Sequence, residues 1–203
     1  MNVYDFDETL FTGDSEQRFF NFIFAKKGFF LYKINWHFWD MLLRMKAVTK
    51  TVAREHEYSF LKKIDRDGNL EHLLEEYWDQ VEKYMKKWYA SRKRSDDVIA
   101  SGTPAFLMEP ICRRLNVRGL VATPMDKRTG KIDGMFAIGE YKLQNYRKHY
   151  GDTPIDEFYS DTWSDRFLAD QAARAYVIHD GEEISEWNSW FEAHPDKKGI
   201  QSF

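Results

Sequence analysis

Cysteine is almost missing from this 203-residue chain, with Cys112 alone. That excludes an internal disulfide and a CxxC metal site. Charge of one sign is missing too: 30 Lys plus Arg stand against 33 Asp plus Glu, a net −3. No global basic field advertises nucleic-acid binding, and no nucleic-acid partner is expected. Long apolar runs are absent. The most apolar stretch, residues 19–45, is broken by Lys26, Lys27, Lys33, Asp40 and Arg44, leaving nothing near the roughly 18 apolar residues of a spanning helix. This stretch can lie on a membrane or pack as helices, but it does not cross. The opening MNVYDFDETL lacks a basic region followed by an apolar stretch, so no signal peptide is expected and a cytoplasmic location is the default. Internal repeats and Pro- or Ser-rich linkers are also lacking, which favours one large domain or a core with an insert. What is present is apolar and aromatic: 43% and 17% of residues, enough for a packed core and too much for a disordered chain.

Short apolar runs at residues 2–6, 96–101, 119–123, 157–161 and 173–178 read as strands separated by helix-length segments. That pattern predicts a parallel sheet covered on both faces. Thr103-Pro104 reads as an N-cap followed by Pro, opening a helix to about Leu115 with a kink at Pro110. Further helices are expected over 140–150, closed by Gly151, and over 164–172. Residues 125–135 read as a β-hairpin around Thr129-Gly130. Between about Ser15 and Arg94 no strand pattern appears. From Asn69 the apolar positions Leu70, Leu73, Leu74, Tyr77, Trp78, Val81, Tyr84, Met85, Trp88 and Tyr89 fall on one helical face, with Glu82 and Lys86 as an i,i+4 pair. Asp14 and Gln17 fit a capping-box variant opening the first helix of this insert.

The chemistry-bearing residues sit where strands end. Asp5 and Asp7 share a face of an extended strand, and the carboxyl end of a first strand in a doubly wound sheet is a ligand site. Two carboxylates facing the same way repel unless a cation or a shared proton lies between them, and a hard divalent ion resolves this. A solvated strand end with capping acids would look the same at this motif alone. Ser101, Gly102 and Thr103 follow the second strand, where a hydroxyl and free N–H groups suit a phosphate oxygen. Asp161 and Asp165 follow the fourth. Lys142 occupies the first turn of a helix, a poor place for a cation by the helix dipole, which points to a function.

The order DxDxT, helical insert, Ser, Lys and DxxxD resembles the haloacid dehalogenase-like hydrolase superfamily, and within it the phosphoserine phosphatase-like branch with a helical cap of C1 type. Asp5, Asp7 and Thr9 match the first motif, Ser101 the second, Lys142 the third, and Asp161 with Asp165 the fourth. Glu8 departs from the pattern, since many members carry Gly or another small residue there. The resemblance implies a doubly wound, Rossmann-like α/β core (1–14 and 95–203) with an all-helical cap (15–94) inserted after the first strand. It also implies a Mg²⁺-dependent phosphomonoester hydrolase acting on a small phosphorylated metabolite through an aspartyl-phosphate. Asp5 would be the nucleophile and Asp7 the general acid and then base. Asp5, the main-chain carbonyl of Asp7 and Asp161 would hold Mg²⁺, and Asp165 would tether Lys142 or the metal's water shell. Thr9, Ser101, Gly102, Thr103 and Lys142 would bind the phosphate. Asp14, at the offset of an acid that reads the substrate ammonium in phosphoserine phosphatases, is a further substrate candidate.

Other features read as structure. Cys112 reads as a small buried hydrophobe, and Lys86 to Arg94 as a solvated helix end. His37, His56, His72, His149, His179 and His194 have no paired metal spacing. The insert's aromatics (Phe19, Phe20, Phe22, Phe24, Phe29, Phe30, Trp36, Phe38, Trp39) read chiefly as the insert's own core. That favours a monomer or homodimer with a small-molecule substrate over peripheral membrane contact. Two alternatives differ in kind. A lipid-phosphate phosphatase would work at a membrane surface. A non-catalytic phosphoacceptor signalling module would resemble receiver domains, which lack an insert after the first strand.

Overall fold

The computed structural model describes residues 1–199; positions 200–203, the end of the expected core, lie outside the described residues. Strand β1 (Asn2–Tyr4) is followed by α1 (Ser15–Phe24), α2 (Phe30–Arg44), α3 (Lys50–Glu57), α4 (Leu61–Asp67) and α5 (Leu70–Val81), then by short 3₁₀ turns. The chain next forms β2 (Val98–Pro104), α6 (Ala105–Leu115), β3 (Gly119–Thr123), α7 (Glu140–Tyr150), β4 (Ile155–Ser160), α8 (Arg166–Ala169), β5 (Ala172–His179), β6 (Glu183–Glu186) and α9 (Trp187–Ala193). The six strands form one sheet in the order β3-β2-β1-β4-β5-β6. All pairings are parallel except β5 with β6 at one edge.

Successive strand residues face opposite sides of a sheet, and two cores follow from that. Tyr4, Ile99, Tyr159 and Ile178 enter one hydrophobic cluster, while their neighbours Val3, Val98, Phe158 and Val177 enter the other. The doubly wound α/β architecture expected from the strand runs is therefore present. The first cluster continues into the helical segment between β1 and β2. Phe19 of α1 meets Phe106 of α6, Trp78 of α5 packs edge-on against Phe6 and Phe11, and the Trp78 indole donates to the Leu107 carbonyl at 2.8 Å. Burying one such aromatic stabilises the fold by about 2–3 kcal/mol.

Several elements differ from expectation, each for a local reason. Strand β1 stops at Tyr4 and β2 runs on to Pro104, with its register shifting between Ala100 and Pro104. Pro104, not Thr103, is thus the residue before α6, which continues unbroken through Pro110. Buried Leu107, Met108 and Ile111 hold it there. The expected hairpin at 125–135 reduces to one bridge between Met125 and Ile132. The Asp126 carboxylate accepts from the Arg128 N–H, the Thr129 N–H and the Thr129 hydroxyl at 2.8, 2.8 and 3.0 Å, closing a side-chain-capped turn instead.

The long helix expected from Asn69 ends at Val81, because Met85 bridges Phe11 and the Lys86 N–H donates to the Leu10 carbonyl at 2.7 Å. Glu82 therefore binds Arg114, not Lys86. The helix expected over 164–172 shrinks to a 3₁₀ turn and α8, since Ala172 already belongs to β5. β6 and α9 carried no clear sequence signal; α9 is held by Trp187 and Phe191 packing on Trp163. The insert's aromatics divide. Phe19, Phe20 and Phe29 are buried, Phe22, Phe24, Trp36 and Trp39 are half-buried, and Phe30 and Phe38 are exposed.

Candidate active site

Strand β1 lies between β2 and β4, both parallel to it, so the carboxyl ends of three neighbouring strands open at one place. Asp5, immediately after β1, is fixed there by its N–H donating to the Tyr159 carbonyl at 2.8 Å. Its buried carboxylate accepts from the Lys142 ammonium at 2.8 Å and from the Thr9 hydroxyl at 3.2 Å. Lys142 also donates to Asp165 at 2.6 Å, and the Ser160 hydroxyl donates to Asp165 at 2.9 Å. Burial pulls the Lys142 ammonium down, but Asp165 and Asp5 more than offset this and keep it charged. A cation in the first turn of α7 is thus explained by two buried carboxylates.

Asp7 faces the same opening. Its carboxylate accepts from the Ser15 N–H at 2.7 Å and the Thr103 hydroxyl at 2.9 Å. Burial first, and then the Asp14 charge, push it up to about 7. A carboxyl that takes or gives a proton near neutrality suits general acid–base work. Asp161, just past β4, lies on the far side of Thr9, whose hydroxyl is 3.4 Å from it. Burial, Asp5 and Asp165 hold Asp161 well above the usual carboxylate range. Asp5 and Asp165 share Lys142 and Asp161 adds a third carboxyl across Thr9, a gathering of oxygen donors that fits a hard divalent cation.

A cavity of about 340 Å³ opens over these groups, lined also by Ser101, Gly102, Asp14, Glu16, Lys50 and Arg54. Ser101 and Gly102 sit in the irregular stretch of β2, where a bulge re-aims side chains. A Cβ on Gly102 would come within 3.1 Å of Ile138, so this wall of the cavity is close-fitting. A larger depression of about 760 Å³ between α6 and residues 124–133 contains none of the convergent carboxylates.

Most of the residues singled out in the sequence meet here, but some in other roles. Thr9, expected at the phosphate, is fully buried, and its hydroxyl lies against the Asp5 and Asp161 carboxylates instead of lining the cavity. The Thr103 N–H is committed to the Ser101 hydroxyl at 3.1 Å and its own hydroxyl to Asp7; Thr103 lies in β2, not at a helix N-terminus. Asp165 grips Lys142, the first of its two expected roles. Asp14 caps α1, accepting from the Gln17 N–H at 2.7 Å, and faces the cavity. Glu8 has φ of +57°, the left-handed region that glycine adopts freely and other residues rarely.

Sequence reading missed four contributors. Lys86 is not part of a solvated helix end; it is buried, and its ammonium donates to the Glu8 carbonyl, pinning the turn after Asp7. Arg54 pairs with Glu16 at 3.0 Å and Glu57 at 2.6 Å, and Lys50 lies one turn before it on α3. That i,i+4 spacing was the available signal for a shared face. Cys112 is buried and its thiol is pushed up to about 12 by burial. His179 lies beside Asp180 and Glu183, yet its two ring nitrogens bond Asp180 and Ser185.

The family model of haloacid dehalogenase-like hydrolases matches residues 3–170. The chain belongs to that family. Among solved structures, a Bordetella pertussis Tohama I protein of unknown function superposes at TM-score 0.72 and 18% identity, over 97% of this chain and 94% of that one. A HAD family hydrolase from Salmonella enterica serovar Typhi gives 0.59 at 10% identity, over 85% and 60%. A phosphoserine phosphohydrolase-like protein from Francisella tularensis gives 0.51 at 15% identity, over 90% and 89%. At these identities the likeness is one of fold. No curated protein matches the chain.

Proposed function

We propose that this haloacid dehalogenase-like hydrolase is a Mg²⁺-dependent phosphomonoesterase working through an aspartyl-phosphate on Asp5. The carrying observation is the pairing of two unlike carboxyl groups at one opening: Asp5 held by Lys142 at 2.8 Å, and Asp7 pushed up to about 7. One is paired with a buried cation and the other is able to carry a proton. The Asp5 oxygen forms a bond to phosphorus as the ester oxygen leaves with the proton of Asp7. Asp7, now a carboxylate, then takes a proton from water as that water attacks the aspartyl-phosphate, releasing inorganic phosphate and regenerating Asp5. Lys142 neutralises Asp5 and the incoming phosphoryl oxygens, and Ser101 with Gly102 receives the remaining oxygens.

Mg²⁺ would be held by Asp5, Asp161 and the main-chain carbonyl of Asp7, and when bound it supplies charge neutralisation for the phosphoryl group. Residues 1–14 and 95–199 serve as the hydrolase core and 15–94 as the cap. The cavity suits a small phosphorylated metabolite, whose leaving group would meet Asp14, Glu16, Lys50 and Arg54. The test is a panel of phosphomonoesters assayed with Mg²⁺, the Asp5→Asn protein serving as blank. Turnover of small polar esters by the wild type alone supports the reading; equal rates in both proteins reject it.

A further inference from the structure

The α2 helix is apolar on two sides. Its inner face carries Tyr32, Asn35, Trp36 and Trp39. Trp36 packs on Phe20 and Phe24, Trp39 stacks on His56 at 3.8 Å, and the Asn35 amide donates to the His56 carbonyl at 2.8 Å. The opposite face should be polar in an ordinary surface helix. Here it carries Phe30, Leu31, Ile34, Phe38, Met41 and Met45, which are 67, 75, 53, 49, 46 and 68% exposed. No residue of α2 is buried. Steps of three and four place these six on one continuous stripe, and contiguous exposed apolar surface of this kind marks an interaction site.

Charge decides what covers it. Of the seven Lys or Arg in residues 26–54, Lys26 pairs with Glu76, Arg44 with Asp40 and Arg54 with Glu16 and Glu57, and Lys50 lines the catalytic cavity, which leaves Lys27, Lys33 and Lys46 to the stripe against the single acid Asp40. Lys33, His37 and Arg44 fall along one edge of the stripe by helical geometry, and Lys27 and Lys46 stand exposed just beyond its two ends. Pairing two copies through this face would bring the same cations together with little acid to meet them. An anionic lipid surface meets both features, the apolar stripe in the acyl boundary and the lysines on the head groups. The 15 residues of α2 span about 22 Å, too short to cross a bilayer. Among the described residues no helix is long and apolar enough to do so.

We propose that the outer face of α2 docks on an anionic phospholipid membrane, with the helix lying in the interface plane. This site is separate from the catalytic opening, since none of the six stripe residues lines that cavity. Docking therefore stands whether or not the phosphomonoesterase reading holds. Two of the nine insert aromatics named in the sequence, Phe30 and Phe38, belong to this stripe, while the other seven are buried or half-buried, as expected of an insert core.

The test is co-sedimentation of the full chain at low salt with phosphatidylcholine vesicles, with and without phosphatidylglycerol. The wild type should pellet with the mixed vesicles only, and added salt should weaken the binding. Ile34→Glu/Phe38→Glu should lower the bound fraction about tenfold or more with an unchanged thermal midpoint. Lys27→Glu/Lys33→Glu should also weaken binding to the mixed vesicles. A wild type left in the supernatant with phosphatidylglycerol present, or an Ile34→Glu/Phe38→Glu protein that pellets like wild type, overturns the proposal. So does a concentration-dependent dimer in sedimentation velocity that Ile34→Glu/Phe38→Glu abolishes, which would assign the face to a second copy.

Discussion

Asp7 and Asp5 differ by two positions and by the groups around them. Asp5 has Lys142; Asp7 has the Ser15 N–H, the Thr103 hydroxyl and the nearby Asp14. The proposed division of labour rests on that difference, and it is testable by changing the leaving group. Asp7→Asn should slow hydrolysis of an alkyl phosphate by about 10²-fold or more, and slow a nitrophenyl ester less, because nitrophenolate leaves without a proton. Equal losses for both esters, measured as kcat, would remove the acid role. Glu8 offers a stability test at the same scale. Its φ of +57° costs a non-glycine residue about 1 kcal/mol, while Lys86 holds its carbonyl, which Gly retains. Glu8→Gly should raise the thermal midpoint by about 2–4 °C; a lower midpoint would mean that the Glu8 side chain itself stabilises the turn.

Among the elements, the succession of strands was legible in the sequence, as were the bounds of α7 and the end of α6 at Leu115, whereas the ends of β1, β2 and α5 were not. Asp5, Ser101 and Asp161 could be brought together on paper because parallel neighbours open at the same edge of a sheet and because acids at a strand end carry a chemical meaning of their own. The stop of α5 at Val81 was hidden, since it is set by Phe11 and Leu10, some seventy residues earlier in the chain, pairing with Met85 and Lys86. The hairpin at 125–135 survives as a single bridge, with the Asp126 N–H donating to the Lys131 carbonyl and the Asp133 N–H to the Pro124 carbonyl, while the Asp126 side chain caps its turn. The α2 stripe shows a different limit. Apolar residues at helical spacing read the same whether the face turns inward or outward, and only the packing of Trp36 and Trp39 assigns the sides. Trp78 links the insert to the sheet through Phe6, Phe11 and the Leu107 carbonyl. Trp78→Ala should therefore destabilise the whole fold by about 3–5 kcal/mol, seen as one lowered transition in urea. A first transition confined to the insert, with the remainder unfolding as in wild type, would show that the two parts do not share a core.

The whole molecule joins a doubly wound sheet, whose strand ends gather three acids around Lys142, to an insert that brings Arg54 and Lys50 over the same opening. The charge balance of that opening makes metal dependence its most general consequence. Activity should vanish after exhaustive chelation and return with Mg²⁺. Ca²⁺ should inhibit, since a larger ion with more ligands would draw both Asp5 oxygens to itself and spoil the attack. Full activity after chelation and dialysis would contradict the cation assignment. The superfamily was readable from four ordered motifs, whereas the leaving group was not, because residues of the insert such as Glu16 and Arg54 carry no motif and meet only in the fold.

Under the proposed function, Asp5 becomes phosphorylated during turnover. This is tested most directly by quenching the enzyme in acid during hydrolysis of a phosphomonoester with Mg²⁺, reducing with borohydride, and sequencing the peptide spanning position 5 by mass spectrometry. An aspartyl-phosphate is reduced to homoserine, so the account predicts homoserine at position 5 in wild type and none in Asp5→Asn, whose turnover should fall by about 10³-fold or more. Homoserine at another acid, or an Asp5→Asn protein retaining more than about a tenth of wild-type turnover, would contradict it.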